Sequence, residues 1–239
     1  MRLSTILLAA LLLPPRALCA DPPTPASVVE SLRALYDALS DYQCRMYEHC
    51  SQDGRYEERT IDFYFKKPRL IRMNVLKGNR FGDNGAVGVY RNDGKVTGRK
   101  GGLLSFLTIV VDKHDAQATT VRGLTFDQSD LQATLEKMEL HLSVSRCSIV
   151  DGAGFYELEF EPRDPSRLGG LTREIIRLDE SSLLPISSDS FEGETLVQHA
   201  VWSSYILDAG LPDELFDVRW DPGRLAVLGI RSVHEVPLR

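Results

Sequence analysis

Between Arg55 and Leu76 the chain alternates. Ile61, Phe63 and Phe65 are separated by Asp62 and Tyr64, and beyond Lys66-Lys67-Pro68 the residues Ile71, Met73 and Val75 are separated by Arg72 and Asn74. A period of two is that of a strand, with successive side chains on opposite faces. The proline between the runs suits a corner or a strand start, where no ladder donor is needed. Two adjacent strands with apolar rows predict a sheet with one greasy face. The row Ile61, Phe63, Phe65, Ile71, Met73 and Val75 is therefore expected to line a concave hydrophobic cavity that binds a ligand. The opposite row, with Asp62, Lys66, Arg72 and Asn74, is costly to bury unpaired and is assigned to the outside.

The rest of the pattern supplies more strands and their cover. Ser27 with Glu30 reads as a capping box, and Val28, Leu32, Leu35 and Leu39 follow at helical spacing, so a first amphipathic helix is predicted to run to about Leu39. Residues 42–50 and 56–65 form a hairpin around Ser51-Gln52-Asp53-Gly54, and 86–90 and 95–99 a shorter one around Asn92-Asp93-Gly94. The glycine-rich connection 78–85 lacks the Gly-Lys-Ser/Thr ending of a phosphate loop and reads as turns. An apolar block follows, with Leu103, Leu104, Phe106, Leu107, Ile109, Val110 and Val111. It reads either as a buried helix or strand, or as a mobile lid over the sheet. Leu131, Leu135, Met138 and Leu142 make a second helical stripe, opened by Ser129 with Gln132 three residues on. Residues 143–150, 155–161, 172–179, 184–191 and 195–207 are strands separated by turns. The expected fold is mainly β with α (α+β): a curled antiparallel sheet or incomplete β-barrel of about ten strands, with helices covering the concave face. Leu196, Trp202 and Ile206 on one face and Val197, Val201 and Tyr205 on the other require cover on both sides.

Composition fixes the compartment and narrows the partners. A chain of 239 residues, 43% hydrophobic and 26% charged, suffices for one core. Met1-Arg2, an apolar run over 3–13 and Leu18-Cys19-Ala20 read as a signal peptide spanning 1–20, cleaved near Ala20, so periplasmic or other export is expected. The run is far shorter than the roughly 20 residues of a membrane span. Arg16-Ala17-Leu18-Cys19 resembles a lipoprotein processing site, but the bulk of Leu18 argues against it. Residues 21–26 read as a flexible N-terminus, 27–222 as the domain, and 223–239 as a tail whose Leu225, Val227, Leu228 and Ile230 suit an added strand or a partner contact. Without Arg2 and Arg16, of the 28 basic side chains 26 remain against 34 acidic ones, a formal charge of −8. That argues against nucleic acid or anionic membrane as the main partner. Cys44, Cys50 and Cys147 remain after cleavage. On a straight strand Cys44 and Cys50 lie about 20 Å apart, too far to bond each other, so Cys147 is expected to pair with one of them. There is no C-x-x-C and no histidine at ligand spacing, so neither a metal nor a cofactor is expected.

Phe65-Lys66-Lys67-Pro68-Arg69-Leu70-Ile71-Arg72-Met73, preceded by a helix and a hairpin in an exported chain, resembles the periplasmic LolA-type lipoprotein carriers. Tyr205, Pro212-Asp213-Glu214-Leu215-Phe216 and Asp221-Pro222 resemble that family's closing strand, acidic-Phe turn and final proline-bearing segment. The resemblance spans most of 27–222. It implies an incomplete antiparallel barrel whose concave side is closed by helices and accepts the acyl chains of lipoproteins, with membrane-associated donor and acceptor proteins as partners. Relatives of the same fold are envelope-stress regulators or glycolipid carriers. The family's arginine before the proline, which holds the lid by hydrogen bonds, is Lys67 here, a point charge in place of a planar fork.

No hydrolase motif emerges. His49, His114, His141, His199 and His234 are scattered, no serine lies in a G-x-S-x-G elbow, and Glu157, Glu159 and Glu161 read as the solvated row of a strand. The expectation is a monomeric, non-enzymatic carrier of lipidated protein or another lipid-like ligand, with Leu103, Leu104, Phe106, Leu107, Val110 and Lys67 as lid residues. The alternative is an envelope sensory module that uses the same concavity to bind a protein partner.

Overall fold

The alternating stretch around Lys66-Lys67-Pro68 lies near the middle of one large sheet. A computed structural model describes residues 22–235, and within them eleven antiparallel strands form this sheet, β1 (Asp41–Gln52), β2 (Arg55–Lys66), β3 (Leu70–Gly78), β4 (Val87–Tyr90), β5 (Lys95–Arg99), β6 (Thr108–Asp112), β7 (Ser145–Asp151), β8 (Phe155–Pro162), β9 (Arg173–Asp179), β10 (Pro185–Glu192) and β11 (Thr195–Leu207). The predicted signal peptide lies outside the described residues. The spatial order is β6-β5-β4-β3-β2-β1-β11-β10-β9-β8-β7, so the sheet consists of two meanders, β1–β6 and β7–β11, joined by the pairing of β1 with β11. It is not closed, and β6 and β7 are its edges. The count exceeds the expectation by one because the apolar block after Gly101 contributes β6.

One hydrophobic core includes Val96 on β5 and Leu158 and Phe160 on β8, eight positions apart in the sheet. At about 4.8 Å per strand a flat sheet would hold them nearly 40 Å apart, so the sheet must curl around what fills it. Register shifts at Gln43/Arg45 and at Thr60/Ile61 give the extra twist that such curling needs.

Two helices fill the concavity, α1 (Pro25–Ala38) and α2 (Leu131–Val144). Helix α1 is capped by Thr24, whose side chain accepts from Ser27 N while Ser27 Oγ accepts from Thr24 N, so the capping box begins three residues before the expected Ser27. The residues expected to be a flexible N-terminus thus include the first turn of the helix. Helix α2 is capped by Asp130, one residue after the expected Ser129. Val28, Val29, Leu32 and Tyr36 of α1, with Leu131, Leu135 and Met138 of α2, pack on Ile61, Phe63, Phe65, Ile71, Leu158 and Ile176 of the sheet. The helices are tied to each other by Arg33 Nε donating to Glu139 (2.6 Å) and Tyr36 Oη donating to Gln132 (2.9 Å).

The convex face corrects the sequence reading. Asp62, Arg72 and Asn74, assigned to solvent, are buried beneath the C-terminal segment that follows β11. Among its described residues that segment adds no strand to the sheet. It is a chain of turns with a short helix, α3 (Arg224–Val227), and packs Leu211, Leu215, Phe216, Leu225 and Val233 on Tyr64, Val87 and Val89. An irregular segment arrives with unpaired carbonyls, and the sheet supplies donors for them. Arg72 donates to the carbonyls of Leu215 (2.8 Å), Asp217 (2.7 Å) and Trp220 (2.9 Å), and Lys66 to that of Leu211 (2.7 Å). Gln43 exchanges hydrogen bonds with Arg231 O (2.8 Å) and Val233 N (2.9 Å), while Asp41 accepts from Ala209 N (2.8 Å) and Leu211 N (3.0 Å). The polar row is buried because it is paired, not despite being polar.

The expected disulfide is absent. Cys44, Cys50 and Cys147 are free. Cys44 and Cys50 both belong to β1, and four strands lie between β1 and the β7 that carries Cys147. Burial pushes the Cys44 thiol far up, so it behaves as a small apolar core group.

Candidate ligand cavity

Two glycines shape the site. Gly88 on β4 and Gly98 on β5 are direct partners across the hairpin, and both face the concave side. A Cβ on Gly88 would stand 2.4 Å from Phe126 Cζ, so Phe126 rests where a side chain would otherwise be. A Cβ on Gly98 would meet Ile109 Cγ1 at 3.7 Å and Val87 O at 3.8 Å, both ordinary contacts. The missing side chains leave a cavity of about 150 Å³ bounded by Met73, Val75, Gly88, Val96, Gly98 and Phe126. Arg59 lies at its wall, held by Glu48 (2.6 Å) and Glu57 (3.5 Å), and its opening is framed by Phe81, Gly82, Asp83 and Lys100.

Cover comes from residues 113–130, downstream of the segment expected to act as lid. Ala118 and Thr125 are buried there and Phe126 packs on the core. Four contacts fasten this connection. Arg69 donates to Asp130 (2.8 Å) and to Asp127 O (2.8 Å), Lys113 donates to Asp127 (2.6 Å), and the buried Glu57 accepts from Val121 N (2.9 Å). Burial raises the Asp130 carboxyl although Arg69 and the Ala133 amide oppose it. For Asp127 burial is outweighed by the hydrogen bonds from Lys113 and Thr125, and the carboxyl is lowered. Arg122 in its middle also pairs with Glu192, so ion pairs hold the cover along its length, while Ala118 and Phe126 supply its apolar underside.

The structure divides the residues predicted from sequence. Met73 and Val75 line the cavity, whereas Ile61, Phe63, Phe65 and Ile71 lie on the same concave face but are sealed under the helices. Of the lid candidates, Leu103, Phe106, Leu107 and Val110 are exposed and Leu104 is half-buried. None of these five covers the cavity; only Ile109 and Val111 of that block face inward, on β6. Lys67 does not hold this segment either. Its ammonium donates to the carbonyls of Tyr36 (2.6 Å) and Asp37 (3.0 Å) and lies 4.5 Å from the Tyr36 ring, so it closes the C-terminal end of α1. Gly88, Gly98 and Phe126 escaped the sequence reading. A signal was present: the two glycines are equidistant from Asp93, the centre of the Asn92-Asp93-Gly94 turn, which pairs them if the hairpin is symmetric.

A second polar group sits under α2. Ser145 Oγ, His141 Nδ1, His141 Nε2 and Glu174 align with separations of 2.8 and 2.8 Å, the order of a hydroxyl, an imidazole and a carboxylate in a hydrolase. All three are buried, and the carboxylate is also taken by Lys137 and by the hydroxyls of Ser188 (3.1 Å) and Ser190 (3.2 Å). A nucleophile must reach its substrate, and Ser145 is closed off by the helix end it follows. Burial alone would raise Glu174; Lys137 and His141 overcome it and hold the carboxyl down at about 2. The cluster anchors α2 to β9 and β10.

Comparison with known proteins gives the fold. No protein-family model and no curated protein matches the chain. Among solved structures, an uncharacterized conserved protein from Thermus thermophilus is similar over 83% of this chain and 96% of its own, with TM-score 0.50 and 12% identity. A LolA superfamily protein from Nitrosomonas europaea aligns with TM-score 0.37 and 10% identity over 82% of this chain and 98% of its own. MucB in the MucA/MucB complex of Pseudomonas aeruginosa aligns with TM-score 0.45 and 20% identity over 81% of this chain and 61% of its own. The fold is shared with the Thermus thermophilus protein. It has the unclosed antiparallel sheet and helix-filled concave side that the sequence resemblance implied. This fold by itself assigns no ligand.

Proposed function

We propose that this is an exported, non-enzymatic binding protein that carries the acyl chains of a lipidated protein, or another lipid-like ligand, between membrane-associated donor and acceptor proteins. The observation that carries the reading is the apolar cavity made by the Gly88–Gly98 pair, opening beside charged loops. A cavity of about 150 Å³ whose apolar part is formed by Met73, Val75, Val96, Ile109 and Phe126, with Arg59 at its wall, is large enough for a benzene-sized apolar group. It therefore takes the end of an acyl chain, and displacement of Phe126 extends it toward the helices. Each methylene moved from water into such a site contributes about 0.8 kcal/mol, which is offset by the contacts Phe126 gives up.

Gly98→Leu tests this. Its Cβ has room and its side chain fills the cavity, so the variant should fold as the parent does and lose binding of a fluorescent fatty acid. Undiminished binding in folded Gly98→Leu protein would reject the cavity as the ligand site.

A further inference from the structure

The connections 79–86, between β3 and β4, and 100–107, between β5 and β6, leave the sheet at the same end and are locked together. Gly101 N donates to Gly82 O (2.8 Å), and a Cβ on Gly101 would fall 1.7 Å from Asn84 O, so only glycine permits this approach. The locked pair displays what most surfaces hide. Phe81 is 85% exposed, Leu103 95%, Phe106 76% and Leu107 49%. Beside them stand the exposed Lys77, Arg80 and Lys100; Arg80 gives one guanidinium nitrogen to the buried Glu57 (2.8 Å), Asp83 is half-buried, and Glu58, near Lys77, is an exposed acid. Large apolar side chains flanked by long cations are the composition of a surface that enters the headgroup region of a bilayer. A protein interface core, by contrast, is depleted in lysine.

We propose that these two connections are a docking surface for a membrane bearing anionic lipid, with Phe81, Leu103 and Phe106 inserted among the headgroups and Lys77, Arg80 and Lys100 against their phosphates. No helix among the described residues is long and apolar enough to cross a membrane. The acidic remainder of the molecule is repelled by the same membrane, and the opposition orients the docked protein with this end down. Phe81, Gly82 and Lys100 also frame the cavity opening, which places it at the lipid surface, where an acyl chain passes between bilayer and protein without crossing water. That last consequence rests on the proposed carrier function; the docking itself does not.

Sedimentation with phosphatidylcholine vesicles containing roughly a quarter phosphatidylglycerol tests it. The parent protein should bind these vesicles, bind pure phosphatidylcholine weakly, and release in high salt. The triple variant Leu103→Ser, Phe106→Ser, Leu107→Ser, at exposed positions that do not line the cavity, should lose at least about tenfold in vesicle binding, since most of the apolar contribution is removed, yet bind a fluorescent fatty acid in solution as before. Gly98→Leu should do the reverse, so failure of the cavity and failure of the docking surface are told apart. The proposal is overturned if the triple variant sediments like the parent, if binding ignores lipid charge, or if the parent binds no vesicle and the three residues are instead needed to hold a protein partner.

Discussion

The concave and convex faces of β2 and β3 are made by alternate residues of the same strands, and both are buried, yet they are closed by opposite chemistry. Against the concave row lie the sides of two helices, whose backbone groups bond within the helix and ask nothing of the sheet. Apolar side chains suffice there, and Phe63, Phe65 and Ile71 meet Leu32, Tyr36 and Leu135. Against the convex row lies an irregular segment with carbonyls to satisfy. Arg72, Lys66 and Gln43 meet that need, and Arg45 joins in by donating to Val233 O (3.1 Å) and to Asp62 (2.7 Å). The difference teaches that the polarity of a buried face follows from the covering element's backbone as much as from the face's own position.

The largest test of this contrast is Arg72→Met. It leaves the carbonyls of Leu215 and Trp220 without their donor and that of Asp217 with only the Trp220 amide, and a loss of ~3–5 kcal/mol is expected in urea unfolding, with faster amide exchange across 208–235. Met138→Ala on the other face should cost a comparable ~2–4 kcal/mol by cavity formation and leave those amides protected. A loss below about 1 kcal/mol for Arg72→Met would mean that water replaces the guanidinium, and the contrast between the faces would fail.

The concave face has a polar exception, and acid should find it. Because Glu174 is held at about 2, below its ordinary 4.5, its contribution is complete above pH 4.5 and is lost as pH falls toward 2. The shift corresponds to ~3 kcal/mol. Stability should decline through this window more steeply for the parent than for Glu174→Gln, measured by urea unfolding at pH 6 and pH 3. Equal declines would show that other carboxylates govern acid sensitivity.

His234 should matter least. Its Nδ1 lies 3.1 Å from Asp62, but its side chain is 51% exposed, and Asp62 keeps Arg45 without it. His234→Ala is expected to cost no more than ~1 kcal/mol at neutral pH. A larger loss would show that the end of the tail holds the convex layer rather than resting on it.

The sequence by itself determined which residues share a face. The alternation from Ile61 to Val75, the stripes of both helices and the Asn92-Asp93-Gly94 hairpin are local patterns, set by backbone geometry within a few residues, and each became the predicted element. Boundaries moved by a few residues where Thr24 and Asp130 took the capping positions. Tertiary structure alone decided what lies over each face. Arg72 finds its carbonyl at Leu215, 143 residues away, and no periodicity in β3 announces a partner so distant. The cover over the cavity was misplaced for the same reason: residues 103–111 are the more apolar, but 113–130 carries the Asp130 carboxylate that meets Arg69 and the Val121 amide that meets Glu57. Pattern reports the side on which a residue stands. Whether that side meets water, a helix or a bare backbone depends on chain closure across the whole sheet, and this is settled only when the distant segments arrive.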